Sequence, residues 1–155
     1  MSGTSATERL AALGLTLPPV AAPVAAYVPA VRTGNYVYTS GQLPFVDGKL
    51  RGAGKVGDEV APQDAASFAR TAALNALAAA ASVAGGLDSI ARVVRVTCFV
   101  ASAPGFTGQA QVANGASELL IEVLGEAGRH ARSAVGMAVL PLDSPVEVEL
   151  IAEIG

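Results

Sequence analysis

An α+β sandwich, with both helices on one face of a mixed sheet, follows from three observations on this chain of 155 residues. Two strand-like runs precede the first long helical run. A strand of alternating character then separates that helix from a second one, and two further strand-like runs end the chain. The order of two strands, a helix, a strand, a helix and two strands is what an α+β layer architecture requires. With 52% hydrophobic and 15% charged residues, the chain is apolar enough to fill the core of one compact domain. The same composition leaves more apolar surface than a monomer of this size easily hides, which predicts burial between subunits.

Residues 1–24 are expected to form an N-terminal helix and an extended arm, and residues 25–155 the single domain. The helix runs from Ser5 to Leu13, capped by Thr4 or Ser5 and stopped by Gly14. The apolar run from Pro18 to Val31 contains Pro18, Pro19, Pro23 and Pro29 and has no basic region before it, so it reads as an arm and not as a secretory signal. No stretch approaches the ~20 unbroken apolar residues of a spanning helix, and a soluble, cytoplasmic protein without membrane contact is expected. Tyr27 to Arg32 and Tyr36 to Ser40 form two strands around Thr33-Gly34-Asn35, ended by Gly41-Gln42-Leu43-Pro44. Asp47 to Asp58 reads as a loop or a short edge ribbon. Pro62 fits the first position of a long helix that runs through Phe68, Leu74 and Leu77 to Gly85-Gly86, with alanines that permit close packing on a sheet. From Arg92 to Ala101, Val94, Val96, Cys98 and Val100 alternate with Arg95 and Thr97, as in a central strand. A second helix is expected from Ala113 to Leu124.

The end of the chain carries the most informative pattern. Arg129 to Gly136 reads as a strand after Arg132, Pro141 to Pro145 as a turn, and Val146 to Ile151 as a second alternating strand, together an antiparallel hairpin. Leu140 would then face Val146, and Glu147 would face Val139. Arg132 lies seven residues further along that strand, roughly 23 Å away at about 3.3 Å per residue. Within one chain Arg132 and Glu147 then cannot share a ligand. Packing of copies with Arg132 of one against Glu147 of the next would create an interfacial site for a small anion in a homo-oligomer.

Other chemistries find little support. A net charge of −3 gives no field that would draw nucleic acid or an anionic membrane. The one cysteine excludes an intrachain disulfide, and the one histidine makes a His-rich metal site impossible, so no metal or cofactor is expected. Ser40 and Ser133 lack the histidine partner and the G-x-S-x-G elbow of a nucleophile. Cys98 sits in the apolar row of its strand, where a free thiol acts as a small hydrophobe. Gly34, Gly41 and Gly136 are not spaced as a phosphate-binding loop. Plain roles also stand beside the functional ones. Arg132 fits an ordinary ion pair, Glu147, Glu149 and Glu153 a solvated strand face, and Tyr27 simple packing. Asn114 fits a helix cap, and His130 a rim position beside Arg132.

Taken in order, Tyr27 with Ala30-Val31, Gly34-Asn35, Ser40-Gly41-Gln42-Leu43-Pro44, Ala131-Arg132-Ser133, Leu140-Pro141 and Glu147-Val148-Glu149 resemble the RidA (YjgF) family. The resemblance covers nearly the whole chain after about Ala25. It implies a chorismate-mutase-like α+β fold assembled as a homotrimer, with ligand clefts between subunits and no cofactor. The implied activity is hydrolysis of reactive enamines or imines of 2-oxo acids, in the manner of 2-iminobutanoate/2-iminopropanoate deaminases. Arg132 would then grip the substrate carboxylate, and Glu147 would orient the attacking water. Ser40 and Gly41 would line the cleft, Tyr27 would cover it, and Asn114 would stand at the start of the second helix.

Some positions depart from that pattern. Ala134 stands where imine-hydrolysing members carry a cysteine, so this position would serve substrate through its backbone. Val28-Pro29 replaces more polar residues. The inserted Gly128-Arg129-His130 and the N-terminal extension mark a divergent branch. A non-catalytic trimer that binds small carboxylic metabolites is the rival expectation. Ribonuclease or translation-inhibitor activity, as implied by the endoribonuclease L-PSP name of some relatives, fits poorly with the acidic balance and the absence of a basic stripe.

Overall fold

Gly85, at φ 92°, ends the longest helix in the left-handed conformation that glycine adopts without strain. This helix, α2 (Pro62–Ala84), begins with Pro62 in its first turn, as the sequence predicts. The computed structural model describes residues 3–20 and 26–155. Strands β1 (Ala30–Thr33) and β2 (Tyr36–Thr39) form the first hairpin, and β3 (Phe45–Val46) pairs with β4 (Lys49–Leu50) in a small separate ribbon. After α2 come β5 (Ile90–Ala101), α3 (Gln109–Leu124), β6 (Ala131–Met137) and β7 (Val146–Ile154). The main sheet has five strands in the order β1-β2-β7-β5-β6, with β5 and β6 parallel and the other pairs antiparallel. Helices α2 and α3 pack on one face and on each other. The fold is therefore the α+β sandwich with a mixed sheet that the element order predicts.

The N-terminal helix α1 (Ala6–Ala12) is shorter than expected and opens with a full capping box. Ser5 Oγ accepts from the Glu8 N–H, and the Glu8 carboxylate accepts from the Ser5 N–H. Leu10 is buried in the main core, and the Asp88 carboxylate accepts from Thr7, so α1 is tied to the body of the fold. The expected boundary at residues 24 and 25, with part of the extended arm, lies outside the described residues.

The expected hairpin between β6 and β7 does not form. Strand β5 lies between them, pairing Val96 with Arg132 on one side and Phe99 with Glu147 on the other. Sequence adjacency suggested a direct turn. Instead, residues 138–145 carry the chain over the end of β5: Met137 O accepts from Ser102 N, and Pro145 O accepts from Ala101 N. Leu142 and Asp143 adopt positive φ values of 59° and 57°, which help turn the chain onto the far side of β5. Three smaller corrections follow. Helix α3 starts a turn earlier than Ala113, so Asn114 lies inside the helix and does not cap it. Strand β1 starts at Ala30 and not at Tyr27. A register shift between Val93 and Arg95 puts Val93, not Val94, in the fully buried row of β5.

Alanine governs the packing of α2, whose buried residues are ten alanines and Leu77. Glycine does the same on α3, where a Cβ on Gly115 would lie 1.9 Å from the Ala66 carbonyl oxygen of α2. The obstacle is backbone, so Gly115→Ala must separate the helices. It is expected to destabilise the fold by about 3 kcal/mol, read as a fall in Tm with native secondary structure below the transition.

The sheet's second face is open. Residues Val31, Tyr36, Tyr38 and Val135 on it are 39% to 51% exposed. Arg95, Thr97, Phe99, Glu147, Glu149 and Ile151 share that face, since their neighbours Val96, Cys98, Val100, Val146, Val148, Leu150 and Ala152 point into the helix layer.

Candidate functional site

Arg132 and Glu147 point to opposite faces of the sheet. Arg132 sits directly across from buried Val96 and projects to the helix side, where it reaches α3. Glu147 alternates with buried Val146 and Val148 and projects to the open side. From the strand register, their Cα atoms are roughly 14 Å apart, with one strand between them. The expectation that one chain cannot bring them to one ligand therefore holds, though the reason is the intervening β5 and not distance along a hairpin.

The residues around Arg132 form the first cluster. Its Nη1 donates to Asn114 Oδ1 at 2.8 Å and to Ser117 Oγ at 3.1 Å, and its Nη2 donates to the Ala110 carbonyl at 3.3 Å. These acceptors lie along one stripe of α3, so helical periodicity holds the guanidinium against the edge strand β6. Of the five N–H donors of an arginine, Nε–H and one Nη2 hydrogen have no partner among the described residues. Ile121, Arg129 and His130 complete a cleft of about 300 Å³ with Asn114, Ser117 and Arg132. Ala134 follows two residues later on the same side, packed against the core.

His130 is more than a rim residue. Its Nδ1 lies 2.6 Å from the Gly128 carbonyl oxygen, and its Nε2 lies 2.9 Å from Ser117 Oγ. A carbonyl can only accept, so the neutral ring carries its proton on Nδ1 and Nε2 accepts from the Ser117 hydroxyl. Burial, offset in part by the Gly128 bond and reinforced by the Arg132 charge, pushes the pKa of His130 below its ordinary value. Ser117 was not singled out from sequence. The available signal was its place three residues after Asn114, on the face of α3 that meets β6.

The second cluster surrounds Glu147. Pairing of β2 with β7 runs to Tyr38 opposite Ile151 and resumes at Gln42 opposite Val148. Thr39, Ser40 and Gly41 thus face only Leu150 and Glu149, and this extra residue makes a bulge. Thr39 Oγ1 fills the gap in the ladder by accepting from the Leu150 N–H at 3.0 Å. Gly41 lies against Glu147: a Cβ there would be 2.6 Å from Glu147 Oε1. The Ser40 hydroxyl donates to the Val28 carbonyl at 2.7 Å, which ties the exposed Tyr27 segment to the bulge. Burial first, and the like charge of Glu149 second, raise the pKa of the Glu147 carboxyl.

The fold therefore divides the expected residues into two groups. Tyr27, Ser40, Gly41 and Glu147 lie along the β1-β2-β7 side, while Asn114, Arg132 and Ala134 lie on the β6 edge. A smaller concavity of about 140 Å³, bordered by Tyr38, Arg95, Thr97 and Glu149, lies on the open face. Cys98 is buried and its thiol is pushed up to about 12 by that burial, so it offers no thiolate. Among the described residues, no helix is long and apolar enough to cross a membrane.

Comparison with known proteins agrees with this architecture. Residues 7–154 match the family described as "YjgF/chorismate_mutase-like, putative endoribonuclease". The chain is 43% identical to Protein TCP17 of Trypanosoma cruzi over 143 residues, covering 92% of this chain and 89% of that one. It also superimposes on Atu1372 of Agrobacterium tumefaciens, a protein described as of unknown function, with a TM-score of 0.89 at 47% identity, covering 97% of this chain and 92% of the other. A more distant likeness is to TdcF of E. coli with bound serine, with a TM-score of 0.64 at 26% identity over 88% of this chain and 94% of that one. With its sequence matched almost from end to end and the expected mixed sheet under two helices, the chain belongs to the YjgF/chorismate-mutase-like family.

Proposed function

We propose that the protein hydrolyses enamine or imine forms of 2-oxo acids to the oxo acid and ammonia, at clefts between the copies of a homotrimer. The observation that carries this reading is the state of Arg132. Three of its N–H bonds are held by Asn114, Ser117 and Ala110, which leaves the edge made by Nε–H and one Nη2 hydrogen. That edge suits two parallel bonds to a carboxylate. The position of Glu147 supplies the second half. A half-buried carboxylate whose pKa is raised by burial, beside the bulge at Ser40 and Gly41, has the character of a general base.

The reaction balances with these two groups. Glu147 accepts a proton from water as the oxygen adds to the imine carbon, and that proton passes to nitrogen. The resulting carbinolamine gives up its hydroxyl proton to Glu147, which returns it to nitrogen, so that the carbonyl forms as the carbon–nitrogen bond breaks, giving ammonia and the 2-oxo acid. Arg132 holds the neighbouring carboxylate throughout. Since the two residues face opposite sides of one sheet, a complete cleft takes Arg132 from one copy and Glu147 from another. The open face, with exposed Val31, Tyr36, Tyr38 and Val135, offers apolar surface for that assembly. The assay is hydrolysis of 2-iminobutanoate and 2-iminopropanoate generated in situ, followed by ammonia release. A rate above the solvent reaction that tracks protein concentration is expected, and a rate equal to solvent removes the enzymatic reading.

The hydrogen bonds that hold Arg132 are all made within one chain and do not involve Glu147, and this favours a second reading, a trimer that binds 2-oxo acids without turning them over. The ammonia-release assay separates the two, and Gly41→Ala tests whether Glu147 takes part in turnover. The added methyl would meet Oε1, Cδ and Cγ of Glu147 at 2.6, 2.7 and 2.9 Å, so the Glu147 side chain must move from Cγ outward, while the atoms met are side chain and not backbone. Hydrolysis should slow by on the order of tenfold to a hundredfold, with 2-oxo acid binding retained. An unchanged rate would detach Glu147 from the chemistry. Against a ribonuclease stands the net charge of −3, which provides no general attraction for RNA.

A further inference from the structure

The cleft around Arg132 is one-sided in charge. Arg129 and Arg132 line it with Asn114, Ser117, Ile121 and His130, and no carboxylate among the described residues does. Glu126 pairs with Arg129 at 3.1 Å, but both side chains are largely exposed, so the pair leaves the local field positive. On α3, Glu122 is bound to Arg70 and stands outside the cleft, as does Glu118. Arg95 turns to Ser133 on the opposite face of the sheet. With one carboxylate on Arg132, the remaining cation at the cleft is Arg129, which is shared with the exposed Glu126.

The hydrogen bonds add a direction to this field. In the neutral state Arg132 donates to Ser117 Oγ, Ser117 donates to His130 Nε2, and His130 Nδ1 donates to the Gly128 carbonyl. The Ser117 proton is thereby consumed, and the hydroxyl presents only a lone pair to an incoming anion. Protonation of Nε2 reverses its bond, because the ring then donates to Ser117 Oγ, which already accepts from Arg132. The Ser117 O–H is released to turn into the cleft. An anion seated at Ser117 gains a donor and a second positive charge only when His130 takes up a proton.

We propose that this cleft selects a dicarboxylic 2-oxo or imino acid, one carboxylate on the free edge of Arg132 and the other on the Ser117 hydroxyl beside Arg129, with His130 taking up a proton as the acid binds. The inference rests on the carboxylate-binding role of Arg132 and adds the substrate class. In the free protein, burial chiefly and Arg132 secondarily hold His130 neutral, and a bound anion opposes both effects. Affinity should therefore rise as pH falls, by up to about tenfold per pH unit between the free and bound pKa values of His130.

The experiment is calorimetric titration of the full-length protein with 2-oxoglutarate and, separately, 2-oxobutanoate, each in two buffers of different ionisation enthalpy. The expected result is tighter binding of 2-oxoglutarate, with uptake of close to one proton that 2-oxobutanoate does not cause. In His130→Gln, and independently in Ser117→Ala, the preference for the diacid should vanish. Equal affinities without proton uptake, with both acids still dependent on Arg132, would overturn the dicarboxylate inference and leave the imine hydrolase reading intact. Failure of 2-oxoglutarate alone to bind would overturn the dicarboxylate inference, and failure of both acids to bind would overturn the hydrolase reading with it.

Discussion

Under the proposed function, Arg132→Ala is expected to weaken binding of 2-oxo acids by about 3 kcal/mol, roughly a hundredfold, and to remove turnover with it. The estimate comes from losing a charge-assisted, two-bond grip whose partner carboxylate cannot find the same donors in water. The loss should not be structural. Asn114 is exposed and Ser117 half-buried, so both can turn to solvent when the guanidinium goes, and Tm and the oligomeric state should stay near wild type. Arg132→Lys serves as the control for geometry. An ammonium keeps the charge but offers no planar edge, so it should recover only part of the affinity. Calorimetry with 2-oxobutanoate and the ammonia-release assay read both effects, and wild-type binding in the alanine variant would remove Arg132 from the site.

Glu147→Gln gives the second large effect, in the rate and not in binding. Removing a general base slows hydrolysis by roughly a hundredfold to ten-thousandfold, while the carboxylate grip at Arg132 persists. The raised pKa of Glu147 adds two pH signatures. In the wild type, the rate should fall as acid protonates the base, with the limb placed above the ordinary carboxylate range. For stability, the native state holds a proton at pH values where the unfolded chain has released it, so Glu147 costs stability as pH rises through its folded pKa. Glu147→Gln should therefore raise Tm above that window and leave it nearly unchanged below. A Tm that rises only on the acid side would contradict the burial of this carboxylate.

The parts of the fold that were legible in the sequence are those fixed by local chemistry. Pro62 and Gly85 mark the ends of α2 because each has a conformational reason to stand there, and Ser5, one of two cap candidates beside Thr4, starts α1. The path from β6 to β7 was not legible. It depends on parallel pairing of β6 with a strand more than thirty residues earlier, and on left-handed conformations at Leu142 and Asp143 that neither residue type advertises. The start of α3 was missed because its first turn, after Gly108, has no side-chain cap. Of the candidate site, the ordered motifs pointed to Gly41, Arg132 and Glu147 and the family resemblance to Asn114, whereas the placing of Arg132 and Glu147 on opposite faces of the sheet depends on the strand order. Ser117 escaped notice because a mid-helix serine and a histidine in a loop thirteen residues away are joined only by tertiary packing.

The division of the site between copies is the central claim, and subunit complementation tests it most directly. Arg132→Ala and Glu147→Gln variants, each inactive alone, are unfolded together in equal amounts, refolded, and assayed for ammonia release from 2-iminobutanoate. If each cleft draws Arg132 from one copy and Glu147 from the next, random assembly restores both residues in about one quarter of clefts, and the mixture regains about one quarter of wild-type activity. A mixture that assembles to the wild-type size but stays as inactive as its components would contradict a shared site.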